Sequence, residues 1–264
     1  MRDRVITALV LAPTVLAILF LSSPWPLICL GALVAILCAL EANVLLPSAS
    51  KVQPTAYLGF PAAVYLSLTN TPTSLTSAAL IVSALLGILC VYLVASGKTK
   101  NPIVREAGAL WFTAPLAACV VLHGMGAGSN LWSIKSPLLL ALLPVWAGDV
   151  AGILAGRAFG KHLLAPTLSP KKTVEGGVAN LVAAGATGAI FGPLIGLTLG
   201  TSIACGIVAG LLGQVGDLFE SWVKRRANKK DSGTLLPGHG GILDRIDSLL
   251  FTAPAVGLIL AFFR

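Results

Sequence analysis

Residues 213–247 read GQVGDLFESWVKRRANKKDSGTLLPGHGGILDRID, a charged island between two long apolar runs. Carboxylates stand at its two ends, in Asp217 and in Asp244-Arg245-Ile246-Asp247. Between them lie a basic cluster (Lys224, Arg225, Arg226, Lys229, Lys230) and a glycine-rich turn around His239. Acids that can hold a divalent cation, bases that can hold phosphates and glycines that admit close backbone approach are the parts of a phosphoryl-transfer site. The apolar runs on either side place them at a membrane surface.

The whole chain supports that placement. It has 264 residues, 56% of them hydrophobic and only 11% charged, with a mean hydropathy of +0.91. Soluble domains carry roughly 25% charged residues, and here apolar runs of near-bilayer length recur along nearly the whole chain. The runs are rich in Leu, Ala, Ile and Val with no ten-residue alternation, which counts against a barrel. The reading is an all-α, polytopic integral membrane protein. The net charge of +8 does not imply a nucleic-acid partner, because most Lys and Arg sit in short segments between apolar runs. Cys29, Cys38, Cys90, Cys119 and Cys205 lie in or beside those runs, form no CxxC pair, and read as small packing residues.

About nine transmembrane helices are predicted, at 5–21, 26–46, 55–69, 75–95, 107–122, 137–155, 178–197, 201–219 and 248–263. The third and fifth are short and carry Pro61 and Pro115, so tilted, broken or re-entrant geometry is expected there. The basic start of the chain followed by an apolar run resembles a signal peptide. The run is long for one and lacks a persuasive cleavage site, so it is read as the first span. With the N-terminus in the cytoplasm, only Lys135 and Arg264 of the 18 Lys and Arg fall on the far side. That is a strong positive-inside pattern. It puts a multi-pass protein in the cell membrane, its C-terminus opposite its N-terminus and loops 156–177 and 220–247 together on the cytoplasmic face. Residues 1–136 form an N-terminal group of helices and 137–264 a C-terminal group carrying the motifs, in one integrated membrane unit.

Asp217 is followed by Glu220, Ser221 and Lys224 at i+3, i+4 and i+7, which puts them on one helix face. Asp244 and Asp247 are three apart and share a face too. Hard oxygen donors without nearby Cys suit Mg²⁺ rather than Zn²⁺. The competing reading makes Asp244 a helix cap and Asp247 a partner of the helix's positive end. The basic cluster could serve only as a patch for anionic lipid, but the run Asp231, Gly233, Pro237, Gly238, His239, Gly240, Gly241 that follows suits a phosphate site. The other loop, GRAFGKHLLAPTLSPKKTVEGG at 156–177, leads straight into an apolar helix. Thr173 or Ser169 could cap that helix, its N–H groups would form an anion site, and Lys172 would add charge. The GxxxxGK[ST] spacing of a P-loop is missing. Asp149 lies inside the sixth span, where an ionisable group is functional by default, with pairing to Arg157 as the structural alternative.

At these residues the chain resembles a family, the phosphatidate cytidylyltransferases or CDP-diacylglycerol synthases. The signature's fixed positions are present in Ser221, Lys224, Arg225, Lys230, Asp231, Pro237, His239, Gly240, Gly241, Asp244, Arg245 and Asp247. The second loop is similar in Gly156, Phe159-Gly160-Lys161, Pro166, Ser169-Pro170, Lys172-Thr173 and Glu175-Gly176. The detailed likeness covers 149–254. It departs at Ala151-Gly152, where the family has an aromatic after Ala, and at Gly257, where it has a bulkier residue.

The resemblance implies the reaction CTP + phosphatidate → CDP-diacylglycerol + pyrophosphate, in phospholipid biosynthesis. It implies Mg²⁺ as cofactor, leaving a second cation open, with membrane lipids around the protein and a homodimer as the assembly. Asp217, Asp244, Lys224 and Arg245 would carry catalysis, with Asp217, Asp244 and Asp247 toward the metal. Asp149, Arg157, Lys161, Ser169, Lys172, Thr173, Glu175, Ser221, Arg225, Lys230, Asp231 and His239 would line the substrates. Two rivals remain: a cytidylyltransferase or kinase for an isoprenoid lipid, and a transporter using intramembrane carboxylates. The transporter reading predicts acids near mid-span in two repeats, whereas most of these acids cluster at one edge beside bases.

Overall fold

The computed structural model describes residues 13–20, 23, 25–46, 60–61, 64, 73–125, 136–235 and 240–263. Its helices are α1 (Trp25–Leu45), α2 (Thr73–Ala95), α3 (Pro102–Ala107), α4 (Leu110–Met125), α5 (Leu139–Phe159), α6 (Val174–Leu194), α7 (Leu199–Arg226) and α8 (Leu243–Phe263). A short antiparallel hairpin, β1 (Leu163–Ala165) and β2 (Ser169–Thr173), stands between α5 and α6. Among the described residues seven helices are long and apolar enough to cross a membrane, α3 and α4 counting as one. Of the first expected span, 5–21, residues 13–20 are described and are helical, while the third, 55–69, lies largely outside the described residues. The helical membrane class therefore holds, with the hairpin as a local addition.

The helices are apolar nearly all round, as membrane helices must be. Leu33, Ile36, Leu40 and Val44 of α1 and Val82, Leu85, Leu86 and Leu89 of α2 remain exposed on the bundle's outer surface, the side that lipid would cover. The fifth expected span is the broken one: it interrupts at Gly108-Ala109 between α3 and α4. α4 is the central post. Its Trp111, Phe112 and Leu122 are fully buried, and Trp111 meets Phe219 of α7 edge-on at 5.5 Å between ring centroids. Phe219 also meets Phe251 of α8 at 5.7 Å, tying three helices together.

Two expected boundaries move outward. α7 continues past Phe219 to Arg226, and α8 begins at Leu243 rather than at Ser248. With 28 residues, α7 is about 42 Å long against a hydrocarbon core of about 30 Å. Its charged turns therefore extend beyond the apolar layer without ending the helix.

α6 and α7 cross on small residues, Ala184, Gly185, Gly188 and Gly192 against Ser202, Cys205, Gly206 and Ala209. A Cβ on Gly206 would stand 3.1 Å from the Gly185 Cα, and one on Gly188 2.9 Å from the Gly206 Cα. Backbones come this close only when neither carries a side chain. Gly206→Leu should therefore push α6 off α7 and cost about 1–3 kcal/mol. Its midpoint of thermal unfolding in detergent should fall well below that of Gly200→Ala, whose added carbon meets no described atom within 4 Å.

Candidate active site

The charged ends of α7 and α8, the hairpin and the start of α6 converge at one end of the bundle. On α7, Asp217 lies one turn before Ser221, whose Oγ donates to Asp217 Oδ1 at 3.4 Å. The expected shared face of Asp217, Ser221 and Lys224 is thus present. Lys172 reaches across from β2 and pairs with Asp217 Oδ2. Both groups stay partly open, with side chains 28% and 37% exposed.

Lys224 is deeper. Its Nζ donates to Glu220 Oε2 at 3.0 Å and to Asp244 Oδ1 at 2.5 Å. Glu220 is fully buried, and its Oε1 has no hydrogen-bond partner among the described residues. It lies against Asp247 of α8. The other oxygen of Asp244 accepts from Ser232 N at 2.9 Å and Gly241 N at 2.8 Å, with Ser232 Oγ 3.0 Å away. Asp244 thus joins the loop to the helix start, as the capping alternative expects, while also holding Lys224. Gly240 has φ +79, and a Cβ there would sit 2.5 Å from Asp244 Oδ2, so no other residue fits that turn without strain.

The hairpin corrects the reading of 156–177 as a plain loop. Leu163 pairs with Thr173 and Ala165 with Ser169. Strands of three and five residues are too short to leave a legible alternation. Thr173 caps α6, its Oγ1 accepting from Gly176 N at 3.1 Å. Glu175 turns back to the hairpin, accepting from His162 N at 3.3 Å and facing His162 Nδ1 at 2.7 Å. Its contacts are thus with the hairpin itself, which it clasps to α6.

Asp149 on α5 accepts from Asn180 Nδ2 at 3.3 Å, and Gln214 of α7 donates to Asn180 Oδ1 at 3.2 Å. Among the described residues no ion pair joins Asp149 to Arg157, and the structural partner that Asp149 has is Asn180. Arg157, Lys161, Arg225, Lys230, Asp231 and Arg245 are exposed around the site, with Arg225 Nη1 donating to Lys229 O at 2.8 Å. His239 lies outside the described residues. The missing aromatic at position 152 has a local counterpart, since a Cβ on Gly152 would stand 3.1 Å from Gly176 O where α5 meets α6.

Among the described residues no three His, Cys, Asp or Glu side chains converge closely enough to hold a metal ion. Asp217 and Asp244, two of the three expected ligands, are each engaged by a lysine. The donor set nonetheless fits a cation. Among the described residues five carboxylates (Asp149, Asp217, Glu220, Asp244, Asp247) share this end with two lysines in contact with them, and one carboxylate oxygen is buried without a donor.

Sequence reasoning missed Glu41, Ser232, Asn180 and Gln214, and it did not assign Glu220 to the site. Glu41, an acid inside an apolar run, carried a usable signal. The others become visible only when the helices are assembled.

A family model described as Cytidylyltransferase family matches residues 2–263. The chain belongs to that family. It is 41% identical over 125 residues to the phosphatidate cytidylyltransferase of Staphylococcus haemolyticus (strain JCSC1435), covering 47% of this chain and 48% of that protein. It is likewise 41% identical over 128 residues to the phosphatidate cytidylyltransferase of Bacillus subtilis (strain 168), covering 48% of each. The chain thus spans about half the length of the relatives it matches.

The two lysines of this cytidylyltransferase-family site differ in depth, and their loss should differ accordingly. Lys224→Met strands Glu220 and Asp244, whose side chains are 0% and 6% exposed, and should cost about 3–5 kcal/mol. Lys172→Met breaks a half-open pair and should cost at most about 1 kcal/mol. Thermal unfolding of the two variants side by side in detergent measures the gap.

Proposed function

We propose that this protein is a phosphatidate cytidylyltransferase, converting CTP and phosphatidate to CDP-diacylglycerol and pyrophosphate. The observation that carries the reading is the meeting of hairpin, α7 and α8 in two lysine–carboxylate pairs, Lys172–Asp217 and Lys224–Asp244. Lys172, Lys224 and Asp244 belong to the two loops that resemble the family's motifs, Asp217 lies one turn ahead of the second, and the family membership supports the same chemistry.

The reaction asks little of a protein base. A phosphate monoester has its second pKa near ~6, so the lipid phosphate is largely a dianion at pH 7. One of its oxygens attacks the α-phosphorus of CTP. The bond from that phosphorus to the bridging oxygen breaks, and pyrophosphate leaves with the electron pair. Catalysis is then positioning and charge neutralisation. Lys172 and Lys224 lie where they can exchange carboxylate partners for phosphate oxygens, and Arg225, Lys230 and Arg245 add positive charge at the rim. Thr173 fixes the N-terminus of α6, whose positive end faces the same space and favours an anion. Ser169 is held beside it by the hairpin register.

Asp217, Asp244 and Asp247 would hold Mg²⁺, which supplies neutralisation of the CTP phosphates when bound. In this reading the N-terminus and the site face the cytoplasm, following the basic-residue distribution. Acyl chains stay in lipid while CTP arrives from water. Nine spans, a homodimer and a single membrane unit built from 1–136 and 137–264 complete the proposal.

Purified protein with phosphatidate, Mg²⁺ and CTP labelled on the α- or the γ-phosphate tests it. Label from the α position should enter lipid, and label from the γ position should leave as pyrophosphate. Entry of the γ label into lipid would indicate a lipid kinase, and transfer only to an isoprenoid ether-lipid phosphate would move the substrate class. Asp217→Asn should lower the rate about 10²–10³-fold while leaving the melting temperature nearly unchanged, because Asp217 is partly exposed.

A further inference from the structure

Glu41 is the one acid of α1, and it lies inside an apolar span. A carboxylate there is costly unless its oxygens are satisfied. Glu41 is buried, and its partners are 191 to 202 residues away in the chain. Oε1 accepts from Ile242 N at 2.7 Å. Oε2 accepts from Leu243 N at 2.9 Å and from Ser232 Oγ at 2.7 Å. Ile242 and Leu243 open α8, so Glu41 takes up N–H groups that the helix itself leaves unpaired, at its positive end.

The contact reaches the site through Ser232. The same hydroxyl that faces Glu41 lies 3.0 Å from Asp244 Oδ2, and Ser232 N donates to that oxygen as well. Gly233 lets the loop close on the carboxylate, since a Cβ there would stand 2.8 Å from Glu41 Oε1. α1 is itself fixed one turn later, where Arg105 Nε and Nη2 donate to Leu46 O at 3.1 and 2.9 Å and Nη2 donates to Asn43 Oδ1 at 3.2 Å.

We infer that Glu41 is a positioning residue for the reaction. It sets the start of α8, and through Ser232 the carboxylate of Asp244, from a helix with no other charged residue. The inference rests on the reading above in one respect, that the acids of α8 serve cytidylyl transfer.

Glu41→Gln keeps the size of the side chain but replaces one acceptor oxygen with an NH₂ group. Whichever way the amide turns, at least one of the three donors then faces a nitrogen that cannot accept. The variant should run as a monodisperse species in detergent. Its kcat should fall about tenfold or more, and the Mg²⁺ concentration giving half-maximal rate should rise, both measured well below the melting temperature. A lowered melting temperature with unchanged kcat and Mg²⁺ dependence would make Glu41 a helix cap and nothing more, overturning the inference. If Glu41→Gln does not fold, Ser232→Ala, which removes only the bridging hydroxyl, takes its place: a fall in kcat with a raised Mg²⁺ requirement supports the inference, and no change in either overturns it. If the wild-type protein transfers no cytidylyl group, the proposed function fails, and the rise in melting temperature on adding Mg²⁺ decides the inference instead. A smaller rise in Glu41→Gln than in wild type supports it, and an equal or absent rise in both overturns it.

Discussion

Lys224 sits between Glu220, one turn before it on α7, and Asp244 at the start of α8. Three ionisable groups at the edge of a bilayer would each be costly alone, and together they offset much of one another's desolvation. This arrangement lets α7 run on past its apolar stretch as an ordered helix and lets α8 begin at Leu243, ahead of the Ser248 start that hydropathy suggests. It also fixes the angle at which the two helices present Asp217 and Asp247. The small-residue crossing of α6 and α7 and the Phe219 ring contacts then carry that geometry into the membrane-embedded body.

The second lysine acts differently. Lys172 arrives on a hairpin that α6 holds at both ends, by Thr173 capping the helix and Glu175 clasping His162. Its pair with Asp217 is open enough to be remade. The deep pair is therefore held more tightly, and the shallow pair is the more readily remade by a ligand, a difference that follows from burial.

Much of this was legible in the sequence. Composition and run length gave the helical membrane class, and the i, i+4, i+7 spacing gave the shared face of Asp217, Ser221 and Lys224. The helix cap at Thr173 was readable from a polar residue preceding an apolar run. Other features left no comparable trace. Hydropathy ends α7 at Phe219 because a window average cannot know that Lys224 has two carboxylate partners. The hairpin is too short for its alternation to be counted. Glu41 stands out in the sequence as an acid inside an apolar run, but its partners do not, because they include backbone N–H groups far along the chain and backbone donors have no sequence signature. Asn180 and Gln214, linking Asp149 to α6 and α7, are ordinary amides until three helices bring them together.

The electrostatics of the cluster point beyond the protein. Lys172 and Lys224 neutralise two of the five carboxylates gathered at this end, and Glu220 Oε1 is buried with no donor among the described residues. Carboxylates gathered this closely would be stabilised by a bound cation. The phosphates of a nucleotide would meanwhile draw the lysines away from Asp217 and Asp244. On the proposed reading Asp217, Asp244 and Asp247 would hold the cation, which would supply positive charge where Lys172 and Lys224 now meet the carboxylates, and the lysines would then face the phosphate oxygens.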